Sequence, residues 1–390
     1  YVAAMGDLWN FGGERGLYKT TDAGKSWKAI LTAPSPFTSK VGCGDVVVDS
    51  DNPNILYAAL YARQRTPWSF TYGTSLTDGK DVGGIFKSTD AGATWKKLEN
   101  GLPKSTGRIG LTIYKKNPKI VYAVVQSDEG GTVNIGDVRS KAGGVFLSTD
   151  AGERWTRVNP LNPRPFYFSQ IRVDPTDSSH VYVLGFMLHV SLDGGKTFRE
   201  DYFKNVHSDC HALVFDPKNQ KRIILGTDGG VYISYAGGKG WNHLNNFAAG
   251  EFYRIAVDTS MPYRIAGGLQ DNLNWVGPSQ TNTKEGILNS DWTNIEGGDG
   301  FYCVFDPDDA NIMYAESQEG YLHRFNFANG EVKGLRPQPT EGQTGFRFHW
   351  NSPLIPSKHT KGTMYLAGNR VFKLWDKGEK WSAISPDLST

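Results

Sequence analysis

With 390 residues carrying 42 Lys and Arg against 40 Asp and Glu, the chain has a formal net charge of only +2 and no long run of either sign, which argues against nucleic acid as a partner. No apolar stretch approaches membrane-spanning length and no secretory leader is visible, while 46 Gly, 19 Pro and 13% aromatic residues predict many short strands joined by tight turns. Cys43, Cys210 and Cys303 are too few and too scattered for a disulfide framework or a zinc ribbon, and read as small buried hydrophobes.

The chain opens inside a predicted strand, Tyr1-Val2-Ala3-Ala4-Met5, without an initiator Met, so a longer parent is expected, with any targeting signal lying outside this sequence. A second strand, Gly16-Leu17-Tyr18-Lys19, runs into Thr20–Trp27, whose pattern Ser/Thr-x-Asp-x-Gly-x-x-aromatic returns at Ser88–Trp95, Ser148–Trp155 and Ser191–Phe198. Weaker copies lie at Ser234–Trp241, where Ala236 replaces the Asp, and at Leu374–Trp381, which keeps Asp376, Gly378 and Trp381.

Each box reads as a hairpin turn. The carboxylates of Asp22, Asp90, Asp150, Asp193 and Asp376 are expected to accept main-chain N–H groups, the glycine to take positive φ, and the aromatic to pack beneath the hairpin. A folding role is thereby expected of the boxes, not a catalytic one.

Between boxes an apolar strand ending in Asp is followed by a strand that often carries Tyr, as in Val46–Asp49 with Ile55–Tyr57 and Cys303–Asp306 with Ile312–Tyr314. Together these give units of four strands, A to D. The first unit supplies only B, C and D, over residues 1 to about 31, and later A strands start near Asp45, Arg108, Ser169, His211, Tyr253, Tyr302 and Ser352. Four-stranded antiparallel units repeated head to tail predict an all-β chain, a β-propeller of at least eight recognisable blades forming one domain over residues 1–390. Two loops exceed hairpin length, Tyr61–Val82 and Gln126–Ala142, and the first carries the cationic and aromatic stretch Arg63-Gln64-Arg65-Thr66-Pro67-Trp68.

The boxes resemble the Asp-box, or bacterial neuraminidase repeat, shared by sialidases, tandem-propeller xyloglucan glycosidases and the sortilin-type receptor domain. Gly268-Leu269-Gln270-Asp271-Asn272, Gly297-Gly298-Asp299-Gly300, Ala315-Glu316-Ser317-Gln318 and Ile384-Ser385-Pro386-Asp387-Leu388 look more specifically like exported bacterial proteins with sortilin-like repeats, often labelled glycosyl hydrolase. That resemblance implies export to the extracellular or periplasmic space and further blades, about ten in all. It supplies no catalytic motif to carry over.

In the Asp-box propellers the box turns lie on one face and the B-to-C and D-to-A connections on the other. Applied here, that rule nominates polar residues at the starts of A strands (Asp45, Arg108, Gln170, His207, Asp209, His211, Asp299, Asn351) and at the ends of B strands (Arg63, Arg65, Asp128, Asp228, Gln270, Asp271, Glu316, Gln318, Asn369, Arg370). With Trp68 and Asn272 they form a candidate ligand site at the channel mouth, or simply a solvated rim. Asp228, Asp271, Asp299 and Glu316 are the candidate catalytic carboxylates, since glycoside hydrolysis needs two.

His207, Asp209 and His211 alternate along an expected strand, so their side chains are expected either to converge on a divalent metal or to bond the channel wall. No other cofactor is implied. The leading expectation is an exported binding propeller recognising a glycan or a protein segment at the mouth. A glycoside hydrolase using paired carboxylates and a scaffold in a larger assembly are the alternatives.

Overall fold

The computed structural model describes residues 1–129, 141–247, 249–342 and 344–389 and is all-β, with helix limited to four single 3-10 turns among the described residues. None of its helices is long and apolar enough to cross a membrane. Eight antiparallel sheets follow one another along the chain, and they fall into two compact units, Tyr1–Asn245 and Asn246–Thr390.

The first unit holds sheets I to V. Sheet I has three strands, Val2–Met5, Arg15–Lys19 and Lys28–Leu31. Sheet II runs Val41–Val48, Leu56–Thr66, Gly84–Ser88, Lys96–Leu98, and sheet III runs Thr106–Ile113, Val121–Ser127, Gly144–Ser148, Thr156–Asn159. Sheet IV keeps only Gln170–Val173, Val181–Leu184 and Leu188–Ser191, its fourth position shrinking to a bridge between Val190 and Arg199. Sheet V runs Cys210–Phe215, Ile223–Thr227, Gly230–Ser234, Asn242–His243.

The second unit holds sheets VI (Phe252–Val257, Arg264–Leu269, Asn274–Pro278, Thr293–Glu296), VII (Gly300–Phe305, Ile312–Ser317, Tyr321–Asn326, Glu331–Gly334) and VIII (Leu354–Pro356, Met364–Ala367, Val371–Trp375, Lys380–Ala383). In every sheet consecutive strands are hydrogen-bonded neighbours, the blade topology the repeats predict.

Alternation along each strand sends apolar residues to both faces, and the cores form between successive sheets. Tyr57, Ile85 and Leu98 of sheet II meet Leu111, Ala123 and Trp155 of sheet III, while Leu17 and Leu31 of sheet I meet Ala58 and Leu60 of sheet II. Sheets III and IV, IV and V, VI and VII, and VII and VIII share cores of the same kind. The three cysteines are buried in them as free thiols, and burial pushes each up to about 12.

The box turns share one hydrogen-bond scheme. In the second copy the Ser88 hydroxyl donates to Asp90 Oδ1 (2.7 Å) and accepts from the Gly92 N–H (2.8 Å), while Asp90 Oδ1 accepts from the Thr94 N–H (2.8 Å). Thr20–Asp22, Ser148–Asp150 and Ser191–Asp193 repeat the pattern. Two successive left-handed residues close each turn, for example Ala91 (φ 58°) and Gly92 (φ 89°). Where Ala236 replaces the Asp, Ser234 still accepts from the Gly238 N–H at 2.9 Å, so half the scheme survives. The last copy differs: Leu374 leaves it without the hydroxyl, and Asp376 pairs instead with Lys380 at 3.1 Å.

The turns also grip their neighbours. Lys19 Nζ of sheet I donates to Ala91 O of sheet II (2.9 Å), and Lys87 Nζ and the Tyr57 hydroxyl of sheet II donate to Ala151 O of sheet III (2.7 and 2.9 Å).

The stretch Tyr61–Val82, expected as a loop, is instead largely hairpin. Leu56–Thr66 runs on past its sheet and pairs with Ser69–Tyr72, setting Arg63 opposite Tyr72 and Arg65 opposite Phe70, because alternating long and aromatic side chains favour continued pairing. Of the stretch Gln126–Ala142, residues 130–140 lie outside the described residues.

Candidate functional site

Five A strands carry a β-bulge in their first half, in sheets II, III, V, VI and VII. A bulge puts an extra residue against one partner and re-aims its side chain. In sheet V the extra residue is His211, between Cys210↔Thr227 and Ala212↔Gly226. The alternation expected for His207, Asp209 and His211 therefore fails: His207 precedes the strand, Asp209 is left-handed (φ 61°), and the bulge re-aims His211.

His207 Nδ1 lies 3.0 Å from Ser208 O, and its ring covers Gly229, where a Cβ would come within 2.3 Å of it. His211 Nε2 instead lies 2.9 Å from Asp228 Oδ1 at the end of the B strand. The Asp228 N–H donates to Asp209 O (3.2 Å), and a carboxylate oxygen of each Asp lies within 4.8 Å of the other. Burial, then repulsion from Asp228, raises Asp209 above the usual carboxylate range, and Arg164 and His211 offset this only in part.

From this cluster a run of aromatic rings leads across the unit. His211 packs edge-on to Tyr167 (centroids 5.4 Å apart), Tyr167 neighbours Phe166, and Phe166 meets Phe70 of the sheet II hairpin at 5.4 Å. Arg164 stacks over Tyr167 (4.6 Å) and Phe166, and Arg108 Nη1 holds the carbonyls of Phe166 and Tyr167. At the far end Arg65 lies over Trp9 at 4.9 Å, and Trp68 stands 88% exposed at the hairpin tip. Trp9, Phe166 and Tyr167 are also exposed.

The predicted Arg65, Trp68, Arg108, Asp209, His211 and Asp228 belong to this run. Trp9, Phe70, Arg164, Phe166 and Tyr167 were not predicted, although Arg164-Pro165-Phe166-Tyr167-Phe168 sits immediately before an A strand, where the same rule would have found it.

Other predicted residues of this unit lie outside the run. Asp45 lies within its strand, where its buried carboxylate accepts the Leu111 and Val46 N–H groups (both 2.8 Å), and burial raises it. Arg63 is 6% exposed and donates to Asp7 O (2.8 Å). Gln170 begins sheet IV with its Oε1 buried and without a partner, and Asp128 is exposed at the end of its strand.

In the second unit Asp299 is buried and spent on structure, its oxygens accepting the Asp271 N–H (2.9 Å) and the Trp350 indole N–H (2.8 Å). Gln318 Oε1 accepts the Asp299 N–H (2.8 Å), Asn272 Nδ2 donates to the exposed Gln270, and Asp271 (φ 57°) shapes the same turn. Glu316 is wholly buried, not at the mouth: neither carboxyl oxygen has a hydrogen-bond partner at normal distance, and burial pushes it up to about 9, the Ser352 N–H lowering it only in part. Asn351 Oδ1 is likewise buried and unpartnered. Asn369 donates to Asp387 (2.7 Å) and Arg370 to Ser385 O (3.3 Å), tying down the segment after sheet VIII.

A cavity of about 400 Å³ lies away from these residues, between sheets II and III, lined by Ile85, Ile109 and Val125 with Lys97 and Asp81. Those two charges pair with each other at 2.7 Å, so the aromatic run and its acid cluster remain the better candidate.

No protein-family model matches the chain. By sequence it is similar to the oligoxyloglucan-reducing end-specific xyloglucanase of Emericella nidulans, 26% identical over 180 residues, covering 44% of this chain and 22% of that protein. A probable enzyme of the same description from Neosartorya fischeri is 29% identical over 148 residues, 34% of this chain and 16% of that protein. The chain thus spans less than a quarter of the length of these relatives. Solved structures similar to it include a Niastella koreensis GH74 enzyme (14% identity, TM-score 0.37, 92% of this chain and 68% of that one) and YCF48 from Cyanidioschyzon merolae (13%, 0.33, 87% and 95%).

Proposed function

We propose that the chain is a glycan-binding β-propeller working outside the cytoplasm, with its ligand lying along the aromatic run of the first unit. The observation that carries this reading is the continuity of Trp9, Phe70, Phe166 and Tyr167 into the Asp209–Asp228–His211 cluster. Sugar rings are amphipathic: their C–H faces suit exposed aromatic rings, and their hydroxyls suit carboxylates and imidazoles. The sequence similarity to xyloglucan-acting enzymes supports a glycan over a peptide.

Titration calorimetry against soluble plant and microbial polysaccharides is the test. Trp68→Ala and Tyr167→Ala are expected each to weaken binding about tenfold or more, about 1.4 kcal/mol. Binding confined to peptides, or glycan binding untouched by both changes, would overturn the reading.

A second reading, hydrolysis, is favoured by one feature: Asp209, raised by burial, stands beside Asp228, and two carboxyl groups in unlike environments are the requirement for acid and base roles. Release of new reducing ends, abolished by Asp228→Asn, is its expected signature. Intact polysaccharide after long incubation at several pH values would leave binding alone.

A further inference from the structure

The glycan reading leaves the charge of the ligand open, and the arginines of the run bear on it. Arg65, Arg108 and Arg164 stand on or against the exposed rings, and none forms an ion pair with a described residue. Elsewhere the chain pairs its arginines readily: Arg199 with Asp201, Arg222 with Asp216, Arg264 with Asp258, Arg324 with Glu331 and Glu379, Arg347 with Asp387.

Behind Arg65 the charge is reinforced. Arg15 and Arg63 are 4% and 6% exposed and donate to main-chain carbonyls: Arg15 to Gly12 O, Lys40 O and Asn10 O, and Arg63 to Asp7 O. Arg63 Nε is buried with no partner at all. Burial and the nearby Arg63 both push Arg15 down, with Asp7 opposing this only in part. Carbonyl dipoles solvate these guanidinium groups but do not neutralise them.

Of the acids near the run, Asp45 is buried on two N–H groups, Asp7 acts on the buried Arg15, and Asp209 and Asp228 stand together at the His211 end, where Arg164 is near enough to lower Asp209. The Arg65 end of the run is therefore cationic and aromatic, while the His211 end sets Arg164 beside the two carboxylates.

We propose that the ligand is an acidic polysaccharide, its carboxylates lying on Arg65, Arg108 and Arg164 while its hydroxyls meet Asp209, Asp228 and His211. This rests on the glycan reading above. Guanidinium groups bind carboxylates through paired N–H donors, and those on a surface aromatic platform lose little hydration in doing so.

Methyl esterification separates the two ideas, since it removes charge from a polyuronate and leaves its rings in place. The protein is titrated with polygalacturonate, with the same polymer fully methyl-esterified, with a sulfated glycan and with neutral xyloglucan, at low and high salt. Polygalacturonate is expected to bind at least about tenfold more tightly than its ester, with the advantage shrinking as salt screens it. Arg65→Gln and Arg164→Gln should erase that preference with melting temperatures near the parent's, whereas Trp68→Ala should weaken acid and ester alike.

Equal binding of acid and ester, tightest binding of neutral xyloglucan, or tightest binding of the sulfated glycan would overturn the carboxylate assignment and leave glycan binding standing. Failure to bind any of the four would defeat the glycan reading itself.

Discussion

Glu316 is the residue with the clearest consequence for solution behaviour. A carboxyl whose folded pKa is raised to about 9 is neutral in the folded chain at pH 7 but ionised in the unfolded one. Its stabilising contribution is full below the unfolded pKa and is lost as pH rises from there through the folded value, at up to about 1.4 kcal/mol per pH unit. Glu316→Gln should therefore match the parent near pH 4 and exceed its stability increasingly toward pH 9, as read from urea melts at each pH.

The box aspartates have the opposite sign. Asp90 is held down to about 2 by the Thr94 hydroxyl and N–H and the Ser88 hydroxyl, so its contribution is present above the unfolded pKa and lost as pH falls toward 2. Asp90→Asn should lower stability at neutral pH and flatten the acid side of the profile between pH 4 and 2, with the largest difference from the parent near neutrality.

At the scale of elements, the boxes were legible because every contact that makes them is local: a hydroxyl, a carboxylate and N–H groups within eight consecutive residues. The copy at Leu374 shows how much of that is backbone: without the hydroxyl the turn keeps its two left-handed residues, Lys377 (φ 54°) and Gly378 (φ 85°), while Asp376 pairs with Lys380. Gly152 tests the turn from the other side. Its φ is 88°, and an added Cβ would stand 2.8 Å from Leu98 Cδ1 and 3.2 Å from Tyr57 Cε1 of the preceding sheet. Gly152→Ala should cost about 1–3 kcal/mol through backbone strain and overpacking, with a fall in melting temperature as the readout and an unchanged one as the contrary result. The His trio illustrates the limit of reading by period. Alternation holds only within a regular strand: His207 and Asp209 precede the strand and His211 sits on its bulge, so the three do not line up and His211 pairs with Asp228.

At the scale of the molecule, sheet order and, within each unit, the packing of one sheet on the next followed from counting repeats, because the sheet junctions are where their apolar faces can be buried. Leu111, buried between sheets II and III, should accordingly cost about 2–5 kcal/mol when changed to Ala, measured by chemical denaturation. The aromatic run was only partly legible. Its members come from sheets I to V, and no local pattern announces that Phe70 will meet Phe166.

The grip of one turn on its neighbour has a direction. Lys19 reaches 72 residues ahead to Ala91 O, and Lys87 reaches 64 ahead to Ala151 O; in both cases the earlier sheet gives and the later one receives. During synthesis, a sheet that has just emerged offers its successor an ammonium group, which water keeps solvated at little cost, and not a bare carbonyl. At these two junctions the mobile, charged partner thus lies on the earlier sheet and the fixed main-chain acceptor on the later one.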